Sequence, residues 1–170
     1  MRRAAPEDAV ALAELMERTF HDTYAPTTTP DALERHVAEH FGEAQQSAEL
    51  ADDTLDTLLV EVGGELAGLA QLRVGAPAPP GVLARRPAEV VRFYVDRPWH
   101  GRGVAAPLMD ACAAAARDAD ALWLLVYRIN ERALAFYRKQ GFAAVGTHPY
   151  HFGGEVHDDI VMVRMLPSSE

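Results

Sequence analysis

The sequence predicts an α/β (α+β) fold, and three observations carry that reading. Helical and strand-like patterns alternate along the chain, which excludes a plain helical bundle. Gly63-Gly64 stands between two apolar runs and predicts a two-residue hairpin, because both positions can take positive φ. At 170 residues with 49% apolar side chains, the chain can bury one core of ordinary size. No fixed-period repeat interrupts it, so a single domain over residues 1–170 is expected.

The elements follow in order. In "PEDAVALAELMERTF", Leu12, Leu15, Met16 and Phe20 recur at helical spacing, and Pro6 suits a first turn. "TPDALERHVAEHF" repeats the pattern, with Thr29 as cap, Pro30 at the first helical position and Leu33, Val37 and Phe41 on one side. A short helix is expected around residues 45–50. "TLDTLLVEVGGELAGLAQLRVG" is the hairpin, and "APAPPGVLARRPA" is a loop by its prolines. A strand in "EVVRFYV", a helix over about 103–118, a strand in "ALWLLVY" and a helix in "ERALAFYRKQ" stopped by Gly141 come next. Strands in "FAAVGT" and "DDIVMVRML" close the chain. Trp123 is expected in the core.

Charge and composition exclude several classes. A net charge of -9 argues against non-specific nucleic-acid binding, which depends on phosphate neutralisation. Residues 1–60 carry 4 basic and 13 acidic side chains, whereas residues 81–140 carry 10 and 6, so the halves suit a cationic and an anionic ligand respectively. A solubilising acidic surface accounts for the first half equally well. No run of 18 apolar residues is present, and the N-terminus lacks the apolar core of a secretory signal, so neither membrane insertion nor export is expected. Cys112 is the one cysteine, expected as a buried thiol in a reducing cytoplasmic compartment.

"VDRPWHGRGVAAPLMDA" raises the chemical question. Strand, glycine loop and helix in that order direct backbone N–H groups into a turn at the positive end of a helix, where an anion fits. Gly101 and Gly103 let the backbone turn tightly and approach a phosphate without a Cβ. The stretch lacks the Lys-Ser/Thr of a nucleotide-triphosphate loop and the three-glycine dinucleotide spacing, which leaves another phosphate-bearing ligand.

Taken with "LWLLVYRINERALAFYRKQGFAAVG", this stretch resembles the GCN5-related N-acetyltransferase (GNAT) superfamily. The resemblance implies a three-layer α/β/α fold with a mixed, mostly antiparallel sheet splayed at the coenzyme site. It implies transfer of an acetyl group from acetyl-CoA to an amine. His100, Gly101, Arg102, Gly103, Val104 and Ala105 match the coenzyme motif Gln/Arg-x-x-Gly-x-Gly/Ala, with His100 departing from the usual first residue. The resemblance places Phe93 and Val95 where strand backbone meets the pantetheine arm, and Asn130 near the coenzyme; Asn130 also suits a helix N-cap. Tyr137 matches the tyrosine that protonates the leaving thiolate. "TFHDTYAPTTTPDALERHVAEHF" and "GTHPYHFGGEVHDDIVM" are similar to the branch that holds bacterial polyamine (spermidine/spermine) acetyltransferases.

An acceptor pocket for a small-molecule amine is expected from Phe20, Tyr24, Tyr150 and His151, with Asp22, Asp158 or Asp159 attracting a cation. The base that takes the amine proton is open among Asp96, Glu61, His151 and a water chain, and Asp96 serves equally as a cap for the following turn. His148, His151 and His157 match no standard metal signature, so no metal is expected. The same fold also accommodates a non-catalytic acyl-CoA-binding sensor. A monomer or homodimer, with neither nucleic-acid nor membrane partner, completes the expectation.

Overall fold

The structure, a computed structural model, describes residues 1–152 and 155–167. Seven strands form one sheet: β1 (Arg2–Arg3), β2 (Leu55–Val62), β3 (Glu65–Val74), β4 (Pro87–Val95), β5 (Ala121–Val126), β6 (Ala143–Phe152) and β7 (Glu155–Met165). Their spatial order is β1-β2-β3-β4-β5-β7-β6. Every neighbouring pair is antiparallel except β4 and β5. Parallel neighbours need a crossover, and the alanine-rich helix between them supplies it.

Five helices cover the sheet: α1 (Ala9–Tyr24), α2 (Pro30–His40), α3 (Glu43–Leu50), α4 (Ala105–Ala115) and α5 (Glu131–Lys139). On one face, Leu12, Leu15, Met16 and Phe20 of α1 and Leu33 of α2 pack on Leu59, Leu69 and Phe152 of the sheet. On the other, Leu108, Met109 and Cys112 of α4 and Leu134 and Tyr137 of α5 pack on Ala70, Leu72, Val90, Leu122 and Met162. The sheet is therefore buried on both sides, and its central strands read as apolar runs without clean alternation.

Local signals explain the element ends. Gly63 and Gly64 take φ of +63° and +86° and close the β2–β3 hairpin. The Asn130 side chain accepts a hydrogen bond from the Ala133 N–H at 3.1 Å, capping α5. Gly141, at φ +85°, ends that helix and turns Phe142 back into the core.

Two differences from the expected pattern matter. β6 and β7 run as a long hairpin, taking up the "HPYHF" segment beyond the strand expected in "FAAVGT". Pro149 fits there because β6 is the edge strand, where a missing N–H breaks no ladder. Thr29 holds the N-cap position of α2 without a side-chain hydrogen bond to the helix.

The proline-rich loop after β3 is seated rather than free. Ala78, Val82 and Ala84 pack on the buried Trp123, and Gly81 lies against the bulge at Val145 of β6. Gly81 has φ +98°, and a Cβ there would meet the Val145 carbonyl oxygen at 2.7 Å. Gly75, at φ +79°, has open space around it. Gly81→Ala should therefore cost roughly 2–3 kcal/mol in urea denaturation and Gly75→Ala only about 1 kcal/mol. Equal losses would remove the loop–edge contact as the cause.

Candidate active site

The site is built on the one parallel pair. β4 and β5 are joined at Pro87↔Ala121, Ala88↔Leu122 and Glu89↔Trp123, and pair no further although both strands continue. Between Leu72↔Val90 and Gln71↔Arg92, β4 has one extra residue, Val91, which makes a β-bulge where the strands part. The bulge shifts the alternation by one. Ala88 and Val90 before it, and Phe93 and Val95 after it, all face α4 and α5, whereas Tyr94 faces α1. The Asp96 N–H donates to the Ala67 carbonyl at 2.9 Å, toward β3. By alternation, the peptide groups of Phe93 and Val95 point the other way, into the gap.

The glycine loop lies at the end of β4. Gly101 and Gly103 have φ of +72° and +77°, left-handed conformations that a Cβ would strain, which is why this turn uses two glycines. The first N–H groups of α4 have no acceptor within the helix, and Pro107 in its first turn has no N–H to satisfy. Arg102 rests its guanidinium over the Trp99 ring at 5.6 Å. These features fit a pyrophosphate in shape and polarity.

His100 binds the loop to its surroundings. Its Nδ1 lies 2.7 Å from the Arg132 guanidinium and its Nε2 lies 2.7 Å from the Val95 carbonyl oxygen. A guanidinium only donates, so Nδ1 accepts and Nε2–H donates to the carbonyl. One ring thus ties the end of β4 to the first turn of α5. A glutamine amide has the same donor–acceptor pair, and this explains how His100 can stand in the motif's first position.

Tyr137 sits on α5 beside this gap, 8% exposed, with ring centroids 6.1 Å from Phe93 and 5.7 Å from Phe142. Desolvation pushes its hydroxyl well above the ordinary tyrosine value, so it stays protonated at neutral pH. Cys112, on α4, is 0% exposed, and burial pushes its thiol up to about 12. Such a thiol makes a poor nucleophile.

On the α1 face of the gap the other aromatic residues meet. Tyr24 lies 5.0 Å from Tyr127, which follows β5, and 5.3 Å from Phe152 of β6. Desolvation raises the Tyr24 hydroxyl, and Tyr94, Tyr150, Asp159 and Tyr127 all act on it electrostatically. Asp159, on β7, is 4% exposed, and its Oδ1 has no hydrogen-bond partner among the described residues. Desolvation raises its carboxyl to about 6, against the opposing pull of His157 and His148.

The expected acceptor residues separate on this geometry. Tyr24 and Tyr150 join the group. Phe20 is 2% exposed and stacks on His36 at 4.6 Å, so it is core that supports the pocket. His151 is exposed and alternates with Tyr150 to the opposite face of β6. Glu61 is bonded to Arg2 at 2.8 Å on β2, away from the gap. Asp96 caps the turn after β4, accepting from the Arg97 N–H at 2.8 Å, and pairs with Arg18 at 3.1 Å. An open cleft of about 550 Å³ lies there, lined in part by Glu17, Asp22, Asp96 and Arg97. Tyr94 and Tyr127 were not anticipated for the pocket; alternation with Phe93 in "RFYV" was the available signal for Tyr94. Among the described residues, no group of three or more His, Cys, Asp or Glu side chains could hold a metal ion.

The Asp159 carboxyl makes a stability prediction. Its raised value means the folded state holds a proton that the unfolded chain has released, so its favourable contribution is full below about pH 4 and is lost as pH rises through about 6. Asp159→Asn should therefore unfold a few degrees higher than the parent at pH 8, a gain of roughly 1 kcal/mol, and match it near pH 4. Calorimetry at the two pH values checks this, and a variant less stable than the parent at pH 8 would contradict it.

Comparison with known proteins agrees with this architecture. Residues 11–142 match the model of the acetyltransferase (GNAT) family. An uncharacterized N-acetyltransferase of Mycobacterium tuberculosis is 34% identical over 161 residues, covering 94% of this chain and 98% of the relative. Another from Lactobacillus delbrueckii subsp. lactis is 23% identical, covering 96% and 95%. Among solved structures, the PaiA N-acetyltransferase of Thermoplasma acidophilum in complex with coenzyme A superposes with a TM-score of 0.81 at 19% identity, covering 96% of each chain. The ribosomal-protein-alanine N-acetyltransferase of Brucella melitensis gives 0.69 at 23%, covering 97% of this chain and 98% of its own. The match over most of the chain establishes that this protein belongs to the acetyltransferase (GNAT) family and is an acyl-CoA-dependent acetyltransferase.

Proposed function

We propose that the protein moves the acetyl group of acetyl-CoA directly to a primary amine of a small molecule, with polyamines as the acceptor class. The observation that carries this reading is the two-sided gap: a glycine loop, unpaired strand backbone and Tyr137 on one face, tyrosines and a buried carboxylate on the other. Acetyl-CoA supplies a thioester whose carbonyl carbon accepts the amine lone pair as the C–S bond breaks.

The chain's own groups then have distinct tasks. Gly101, Gly103, Val104 and Ala105 offer backbone N–H groups to pyrophosphate, and Arg102 and Arg132 lend positive charge. The gap-facing peptides of Phe93 and Val95 extend the sheet along the pantetheine arm; the Val95 carbonyl is already held by His100, so its N–H is the group available to polarise the thioester carbonyl. Asn130 holds α5 in register beneath Tyr137. Tyr137 gives its proton to the departing sulfur. Burial of Cys112 removes the obvious covalent carrier and favours a sequential mechanism.

Thiol release from acetyl-CoA across polyamines, amino acids and peptide N-termini tests the acceptor class, and the absence of release with every amine while coenzyme still binds would favour the sensor. Initial-rate lines should intersect, whereas parallel lines would mean an acetylated enzyme. Tyr137→Phe should lower kcat by about 10²-fold with coenzyme affinity retained; undiminished turnover would end its assignment as acid. His100→Ala should raise the KM for acetyl-CoA by about tenfold, about 1.4 kcal/mol, and His100→Gln should recover most of it.

A further inference from the structure

Asp159 is the buried carboxylate to which the transfer steps above assign no task. It lies at 4% exposure with Oδ1 unpartnered among the described residues, in a family of proteins whose interiors, like all interiors, rarely leave a carboxylate without a donor. Its position in the sheet is specific. The next residue, Ile160, pairs with Val126, the last residue of β5, so Asp159 stands just past the end of that strand, on the side where β4 has already turned away. His148 faces it across the β6–β7 ladder.

The surroundings are rings. The Asp159 carboxylate acts electrostatically on both Tyr24 and Tyr150, and Tyr24 in turn senses Tyr94 on β4 and Tyr127 after β5. Tyr94 lies on β4 and Tyr127 directly follows β5, so the tyrosines stand at the ends of the two strands that part. The Tyr127 ring stands 5.7 Å from His157 at 90° and 5.0 Å from Tyr24, completing an aromatic wall on α1, β5, β6 and β7. Ring faces beside a buried carboxylate whose Oδ1 has no hydrogen-bond partner among the described residues suit an alkylammonium group.

We propose that Asp159 is the specificity-determining anion of the acceptor pocket, receiving the non-reacting ammonium group of a diamine or polyamine between Tyr24, Tyr127 and Tyr150 while its other nitrogen, neutral, attacks the thioester. This rests on the amine-acceptor reading above and adds the residue that selects charge. An unpaired buried carboxylate weakens the fold, and a cation arriving there relieves that cost, so binding selects ammonium over neutral ligands.

The test compares Asp159→Asn with the parent, using putrescine, charged at neutral pH, and p-toluidine, uncharged. The expected result is a tenfold or greater rise in the KM for putrescine, with the KM for acetyl-CoA within twofold, p-toluidine unaffected and the melting temperature equal or higher. An unchanged putrescine KM, or equal loss for both amines, overturns the proposal. Asp159→Ala reads the same comparison if the amide variant does not fold. Should the parent release no thiol with any amine, the transfer reading fails by itself, and titration calorimetry with putrescine on the coenzyme A complex decides the subsite: heat lost in Asp159→Asn supports it, and no binding to the parent overturns it.

Discussion

The parting of β4 from β5 is the constraint on which the other features depend. A parallel pair held by three residue pairs at its base leaves the upper half of each strand with gap-facing peptide groups that the other strand does not pair. A protein tolerates such an opening only where something else meets those groups, and the extra residue at Val91 turns β4 so that they face outward into one slot. The same bulge keeps Phe93 and Val95 on the side of α4 and α5 and delivers Tyr94 to the side of α1. One inserted residue thus assigns two chemically different walls to a single strand.

The bulge is held from behind. Arg92, on the residue after it, bonds Glu49 of α3 and Gln71 of β3, and Gln71 itself donates to Glu49 at 3.1 Å. Its guanidinium also lies 5.4 Å from the Phe41 ring centre. Hydrogen bonding to Arg92 and its neighbours holds the Glu49 carboxyl below the ordinary glutamate value, although desolvation opposes it. A half-buried, fully engaged ion pair of this kind contributes position more than stability. Here it fixes the register of the strand at the point where register determines which wall each side chain joins.

Much of the architecture was legible in the sequence because it rests on local physics. The helical spacing of Leu12, Leu15 and Met16, the hairpin glycines, the Asn130 cap and the glycine pair at 101 and 103 all have causes within a few residues. Phe20 lies on the same helical stripe as Leu12 and Met16, so its core position was readable there beside its reading as a pocket aromatic. The bulge at Val91 left no such trace, since valine is an ordinary strand residue and only pairing with β3 and β5 makes it extra. Long β6 and β7 were hidden by polar residues and Pro149, which an edge strand accepts. Asp159 was one of several candidate anions, and only burial separates it from its exposed neighbour Asp158. His100 resembled a departure from pattern until both ring nitrogens had partners, Val95 nearby and Arg132 on a distant segment.

That imidazole has a consequence for how the protein spends its conformational freedom. A glycine-rich turn is entropically expensive to order, and a site that orders it only on ligand arrival binds more weakly by that amount. By fastening the strand end and the first turn of α5 through one ring, the chain meets part of this ordering cost while it folds. The same fastening makes the phosphate cradle and the helix that carries Tyr137 one mechanical unit, so a displacement of either is felt at the other across a single side chain.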